Sequence, residues 1–251
     1  MSAKKETLGK TVGVVVAVCL VCSIIVSSAA VGLRSLQQTN AALDKQSNII
    51  EAAGLTEKAA GDIAGTFAKY VEERFVNLET GEYVDVPEGY DMYRAAKDPE
   101  YSVKVVGSNV GFQQRASIAS VYLVKDDAGN ITRIVLPVHG SGLWDLMFGL
   151  LAIDADGNTV RELVYYQHKE TPGLGGEVQN PSWKAKWNGK KLFNNGDVAI
   201  QVKKGENANN EFAVDALSGA TLTSNGVQNT LSYWVGKNGY GPYLKNQTWK
   251  S

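Results

Sequence analysis

Cysteine and histidine are nearly missing from this chain, with two of each in 251 residues. A zinc ribbon would take all four as ligands, so a metal ribbon or a histidine-rich metal cage is excluded. A disulfide-stapled scaffold is excluded on the same count. An excess of positive charge is missing too. Lys and Arg number 25 against 26 Asp and Glu, a net charge of −1, which offers no basic stripe to a nucleic acid. Mean hydropathy is −0.17, too low for a polytopic membrane protein. What remains is 44% hydrophobic and 20% charged, a globular composition. The length suggests one domain, or two.

One long apolar run departs from this average. Thr11 to Leu33 carries no charge over 23 residues, and about 20 such residues cross a bilayer core as a helix. Lys4, Lys5 and Lys10 precede the run against a single Glu6. That bias puts residues 1–10 in the cytoplasm and everything after the 11–33 span outside. The alternative is a cleaved leader with Ser27-Ser28-Ala29-Ala30 as its processing site. A leader's apolar core runs about 7–15 residues, so the length favours a retained anchor. Both cysteines, Cys19 and Cys22, lie in the span as small apolar residues. The rest of the chain has none, so no wrong disulfide forms in an oxidising compartment.

Residues 34–84 read as a helical neck and a hairpin. Asn40 is placed to cap a helix over 41–53 with Gly54 as its stop, and Thr56 a second over 57–74. Phe75–Leu78, Thr80-Gly81 and Tyr83-Val84 follow as a short hairpin. Residues 86–114 are weakly patterned and read as loop with short pieces of structure. Strands are expected at 118–124, 131–138, 150–153, 160–167 and 198–202, the first pair joined by the Asp126–Asn130 turn. Asp154, Asp156 and Asn158 have calcium-loop spacing, but the twelfth position is Tyr165, not Glu, so the segment reads as a plain turn. Asn180 or Ser182 starts a short helix through Trp183 and Trp187. Ser224 is placed to cap a last helix with Val227, Leu231, Trp234 and Val235 on one face. The whole is an α+β protein: one N-terminal transmembrane helix, then an antiparallel-sheet domain with flanking helices over 85–251.

Two glycine-rich segments look chemical. Glu170-Thr171-Pro172-Gly173-Leu174-Gly175-Gly176 follows a strand, and its glycines allow a ligand close to the backbone. It is neither a Walker loop nor a dinucleotide fingerprint; a tight strand-to-helix connection is the plain alternative. Asp215-Ala216-Leu217-Ser218-Gly219-Ala220-Thr221-Leu222-Thr223-Ser224 runs into the last helix. Small and hydroxylated residues at a helix N-terminus suit an anion, which needs no lysine there. An ordinary cap by Thr223 or Ser224 is the plain alternative.

Asp-x-x-Ser-Gly-Ala-Thr resembles the flavinylation motif of the FMN-binding domain family, and Glu-Thr-Pro-Gly-Leu-Gly its second hallmark. With the span, the Ala42-Leu43-Asp44-Lys45-Gln46-Ser47 neck, Leu136–Trp144 and Thr223–Thr230, the set is similar to the C subunits of Na+-translocating NADH:quinone reductases. The resemblance implies FMN joined by a phosphoester to Thr221, with Thr223 as the second choice. Asp215, Ser218, Gly219 and Ala220 would then be read by a flavin transferase. Glu170, Thr171, Gly173, Leu174 and Gly175 would flank the cofactor, with Leu222 and Thr223 beside it. Trp144 is either a ring neighbour or a core tryptophan. His139 caps a strand end, or else sits near the flavin; Trp183 and Trp187 pack, and Lys190 and Lys191 form a solvated pair. The implied activity is electron carriage, with no catalytic side chain and no metal. The implied partners are the other subunits of the membrane reductase and the membrane itself, with no nucleic acid. The implied location is a bacterial inner membrane with the domain in the periplasm. Other readings are the flavin subunit of the related Rnf complex and a membrane-anchored anion-binding module. A hydrolase is disfavoured by the lack of a Gly-x-Ser-x-Gly elbow.

Overall fold

The computed structural model describes residues 8–205 and 207–250. Lys4, Lys5 and Glu6, on which the orientation of the span rests, lie outside them. The chain divides into two units, Met1–Lys45 and Gln46–Ser251. In the first, α1 (Leu8–Gly32) is an unbroken helix of 25 residues, none of them buried. At 1.5 Å per residue it is about 37 Å long, enough to cross a hydrocarbon core of about 30 Å.

Helix α2 (Arg34–Ala52) begins well before Asn40, which is therefore an interior residue and not a cap. Its end is where the sequence puts it. Gly54, at φ +67°, lets the N–H of Leu55 reach the Ile50 carbonyl and its own N–H reach that of Glu51, both at 2.9 Å. Arg133 Nη1 donates to the Ala53 carbonyl at 2.6 Å and brings a cation to the negative end of the helix.

The helix expected over 57–74 is two elements. Asp62 Oδ1 accepts the Gly65 N–H at 2.8 Å and caps α3 (Ile63–Tyr70). The chain then extends as β1 (Val71–Asn77), paired antiparallel with a central strand. Tyr70, Val71 and Arg74 have helical spacing, but Val71, Phe75 and Val76 fit a pleated edge better. The expected hairpin survives as the second half of β1 bridged from Val76 to Tyr83.

The remaining elements are α4 (Met92–Ala95), β2 (Ser102–Lys104), β3 (Gln114–Ala116), β4 (Ile118–Lys125), β5 (Ile131–Ser141), β6 (Leu146–Asp154), β7 (Val160–Gln167), α5 (Pro181–Lys184), β8 (Phe193–Asn194), β9 (Asp197–Val198), β10 (Gln201–Lys203), β11 (Ala213–Asp215), α6 (Thr221–Trp234) and α7 (Gly241–Asn246). Strands β1-β4-β5-β6-β7 form one five-stranded antiparallel sheet. The expected 150–153 strand is the second half of β6. The expected 198–202 strand splits into β9 and β10, and β10 pairs in parallel with β11, a strand that the sequence pattern does not announce.

Both faces of the sheet are covered, which is why its central strands read as continuous apolar runs. Val121, Leu136, Val138 and Leu151 pack with Val227, Leu231 and Trp234 of α6 on one face. Tyr122, Val135, Leu150 and Val164 pack with Ile49, Ile50, Ala53 and Tyr70 on the other. Residues 46–84 are thus part of the domain core rather than a neck outside it.

His139, on β5, lies inside the larger core. Phe148 stacks on its ring at 5.5 Å, with Phe112 at 4.5 Å and Trp234 at 4.9 Å, and its Nδ1 has no hydrogen-bond partner. It caps no strand end. Burial disfavours the charged ring and pushes its pKa down from 6.5 to about 4. The unfolded chain then takes up a proton that the folded chain resists. Stability present above pH 6.5 is lost as pH falls toward 4, by about 3 kcal/mol from this residue. Urea midpoints of wild type and His139→Phe at pH 7.5 and 4.5 check this: the variant loses that much less on acidification.

Candidate functional site

Three segments meet here: the β5–β6 loop, the glycine-rich loop after β7, and the first turn of α6. Their junction is Glu170, whose side chain is almost fully buried (5% exposed). Its Oε1 accepts the backbone N–H groups of Leu143 (2.9 Å) and Trp144 (3.0 Å). Its Oε2 accepts the Thr223 hydroxyl. Gly142 and Gly175 pack so closely on the carboxylate that a Cβ at either would collide with it. Glu170 therefore turns inward and holds the site together from beneath.

Thr171 faces outward and its Oγ1 accepts the indole N–H of Trp144 at 3.2 Å. Trp144 is 67% exposed, so the core-tryptophan reading is ruled out. Leu174 is exposed beside Gly219, whose φ of +72° favours glycine; a Cβ there would press on the tip of the Leu174 side chain at 3.2 Å. Gly173, at φ +75°, is open to solvent, whereas Gly175 is buried. Leu143 completes the exposed apolar rim. Sequence reasoning passes over it, although an apolar pair between glycine and aspartate in a loop is a usable signal.

Helix α6 starts at Thr221, three residues before the expected cap. Ser224 sits inside the first turn, where its hydroxyl donates to the Ala220 carbonyl and accepts the Leu217 N–H. No side chain among the described residues caps the helix. The first backbone bond is Ser224 N–H to Ala220 carbonyl, so the N–H groups of Thr221, Leu222 and Thr223 have no acceptor among the described residues. Thr221 and Leu222 are exposed, as is Ser218, while Ala220 is buried. Thr223 is 1% exposed and its hydroxyl is already committed. Of the two candidate threonines, only Thr221 presents its hydroxyl to solvent.

Asp215 lies at the end of β11. Its carboxylate accepts from Lys186 Nζ (2.8 Å) and from the backbone and side-chain N–H groups of Asn207 (2.8 and 3.0 Å). Those bonds, Lys186 first, hold its pKa below the ordinary carboxylate range. Lys190 is not a solvated residue: its buried ammonium donates to the carbonyls of Asn207, Ala208 and Asn210. Both residues clasp the 207–210 segment that precedes β11. Lys191 donates to Thr159 Oγ1 at 2.5 Å. Trp183 and Trp187 are buried against each other, and the Trp183 indole N–H donates to the Asp215 carbonyl at 2.8 Å.

An uncapped helix start, an exposed threonine and an apolar rim on glycine-shaped loops are suited to a phosphate ester with a flat apolar ring. Residues 142–236 match the FMN-binding domain family, so this part of the chain is an FMN-binding domain. Over nearly its full length it is similar to curated proteins. It is 51% identical to the C subunit of the Na+-translocating NADH-quinone reductase of Vibrio vulnificus, covering 96% of both chains. It is 47% identical to that of Yersinia pestis, covering 96% of this chain and 93% of the relative. A crystal structure of NqrC from Shewanella oneidensis superposes with a TM-score of 0.77 at 34% identity, covering 82% of this chain and 96% of the other. The chain belongs to the family of C subunits of the Na+-translocating NADH-quinone reductase, an oxidoreductase that is also a translocase.

Proposed function

We propose that Thr221 carries FMN through a phosphoester to its hydroxyl, and that the chain is the electron-relay subunit of a sodium-pumping NADH:quinone reductase. The observation that carries this reading is Thr221 itself, an exposed hydroxyl on the first residue of an uncapped 14-residue helix. The free N–H groups of that turn and the positive end of the helix dipole favour a phosphate without a basic side chain. Leu143, Trp144, Leu174 and Leu222 are exposed around it and offer an apolar surface to the ring. FMN, when bound, supplies reversible electron transfer that no side chain of the chain provides. The protein holds the ring in place, excludes water from one side and sets the local charge. A tether has a physical use here, because electron transfer needs a fixed geometry and an exported domain cannot depend on free cofactor.

A flavin transferase would install the group, reading Asp215, Ser218, Gly219 and Ala220. The neutral span has no charged residue between Thr11 and Leu33 and offers a sodium ion no ligands, so this chain alone cannot form the ion path. The Lys bias at the N-terminus orients that end to the cytoplasm and the domain to the periplasm. The test is the intact mass of denatured protein from a host with a working transferase, followed by peptide mapping. A gain of one FMN less one water on the peptide containing Thr221 is expected; an unmodified mass overturns the reading. Asp215→Ala, made in the same host, is expected to carry several-fold less flavin, because the clasp on Asn207 and Lys186 is lost. Full flavinylation of that variant rules out a role for Asp215 in maturation.

A further inference from the structure

We propose that Glu170 is a positioning residue that braces the three segments around Thr221 and, through its buried charge, sets the potential of the flavin carried there. The proposal rests on the FMN reading above. The carboxylate faces away from solvent and accepts two backbone N–H groups and one hydroxyl. No Lys, Arg or His pairs with it among the described residues. The ion pair of the preceding residue, Lys169 with Asp145 at 2.5 Å, is on the surface. His168 meets Glu170 through the backbone, where its Nδ1 accepts the Glu170 N–H at 3.1 Å. Three neutral donors stabilise the charge without cancelling it.

That charge acts on the site in two ways. It fixes Leu143 and Trp144, which form one side of the exposed rim, to the first turn of α6, which bears Thr221 and Leu222. The link runs from the two amides through one carboxylate to Thr223. The charge would also lie close to the ring of a flavin held on Thr221, and a nearby negative charge opposes the gain of an electron. The couple is that of the bound flavin, and an electrode with mediators supplies its electrons in the test. Glu170 therefore lowers the flavin potential, and Thr223, by donating to the carboxylate, moderates the effect.

The test uses the full-length chain loaded by the transferase, with midpoint potentials read on the flavinylated fraction. Glu170→Gln keeps an acceptor and removes the charge. Its one-electron equilibrium is expected to shift about tenfold toward the reduced form, a rise in potential of about 59 mV. Thr223→Val keeps the shape and removes the donor, so its potential is expected to fall. Opposite signs from neighbouring residues are what a merely structural role would not produce. Amide exchange on unflavinylated Glu170→Ala protein reads the brace separately, and the amides of Leu143 and Trp144 are expected to exchange about tenfold faster than in wild type. If Glu170→Ala does not fold, the Thr223→Val potential still decides. Potentials equal to wild type in Glu170→Gln and Thr223→Val overturn the proposal. A wild-type chain without covalent flavin, seen by mass, overturns the reading beneath it.

Discussion

Thr221→Ala is expected to leave the chain with no covalent flavin, while Thr223→Val keeps it. The two hydroxyls are two residues apart in one helical turn, and spacing does not separate them. Their surroundings do. Thr221 is exposed at the first helical position, with its hydroxyl available to a transferase and three free N–H groups beside it. Thr223 is 1% exposed and donates to Glu170 from beneath the surface. A phosphate ester on Thr223 would place a second negative group against a buried carboxylate, a desolvated like-charge contact. Thr221→Ser keeps a hydroxyl at the same position and is expected to retain flavin. Denatured-protein mass and in-gel flavin fluorescence read all three variants. Flavin persisting on Thr221→Ala, or lost from Thr223→Val with the fold intact, would transfer the attachment to Thr223.

The central strands are legible in the sequence because both faces of the sheet are covered. Ile118–Val124 and Ile131–Val138 are short apolar runs bounded by turn residues, and no polar face confuses them. Val160–Gln167 is legible for the same reason at its centre, where Leu163, Val164 and Tyr165 are all buried. The 57–74 segment is not. Tyr70, Val71 and Arg74 satisfy helical spacing, and only pairing with β4, far along the chain, decides for a strand. Ser224 misleads in a related way. A hydroxyl near a helix start reads as a cap, yet the turn Leu217–Ala220 lets the helix begin earlier and makes Ser224 an internal tie.

The site is legible as a set of segments and not as a geometry. Glycines and hydroxyls mark the two loops in the sequence. What the sequence does not carry is direction. Glu170 reads as a flank of the cofactor, but its partners Leu143, Trp144 and Thr223 lie 27, 26 and 53 residues away and draw it inward. Lys190 reads as a surface lysine beside Lys191 until the 207–210 segment folds over it and presents three carbonyls. Long-range hydrogen bonds of this kind depend on the fold being complete, and local pattern gives no hint of them.

Helix α6 carries the site on its first residue and its anchor on its last, so the largest loss of stability is expected at Trp234. Its side chain is fully buried, and its ring packs against His139, Tyr240, Tyr233 and Phe112 at 4.9, 5.5, 5.6 and 6.1 Å. Its indole N–H donates to the His139 carbonyl at 2.7 Å, and its own carbonyl accepts the Tyr240 N–H at 2.6 Å. Trp234→Ala removes the ring, opens a cavity and strands the His139 carbonyl, at a cost of about 3–5 kcal/mol. That is a large share of a net stability of about 5–15 kcal/mol. Trp234→Phe keeps most of the ring and loses the hydrogen bond, at about 1–3 kcal/mol. Urea midpoints with unchanged slope measure both. The ordering also bears on the site, because Gly226 packs α6 directly against the Ser141 carbonyl and Gly142, next to the Glu170 carboxylate. A helix loosened at Trp234 shifts that contact, so Trp234→Ala is expected to lose flavin content along with stability, and Trp234→Phe to keep it. Equal midpoints for the two variants would mean that the hydrogen bond to His139, and not the packed ring, holds α6 on the sheet.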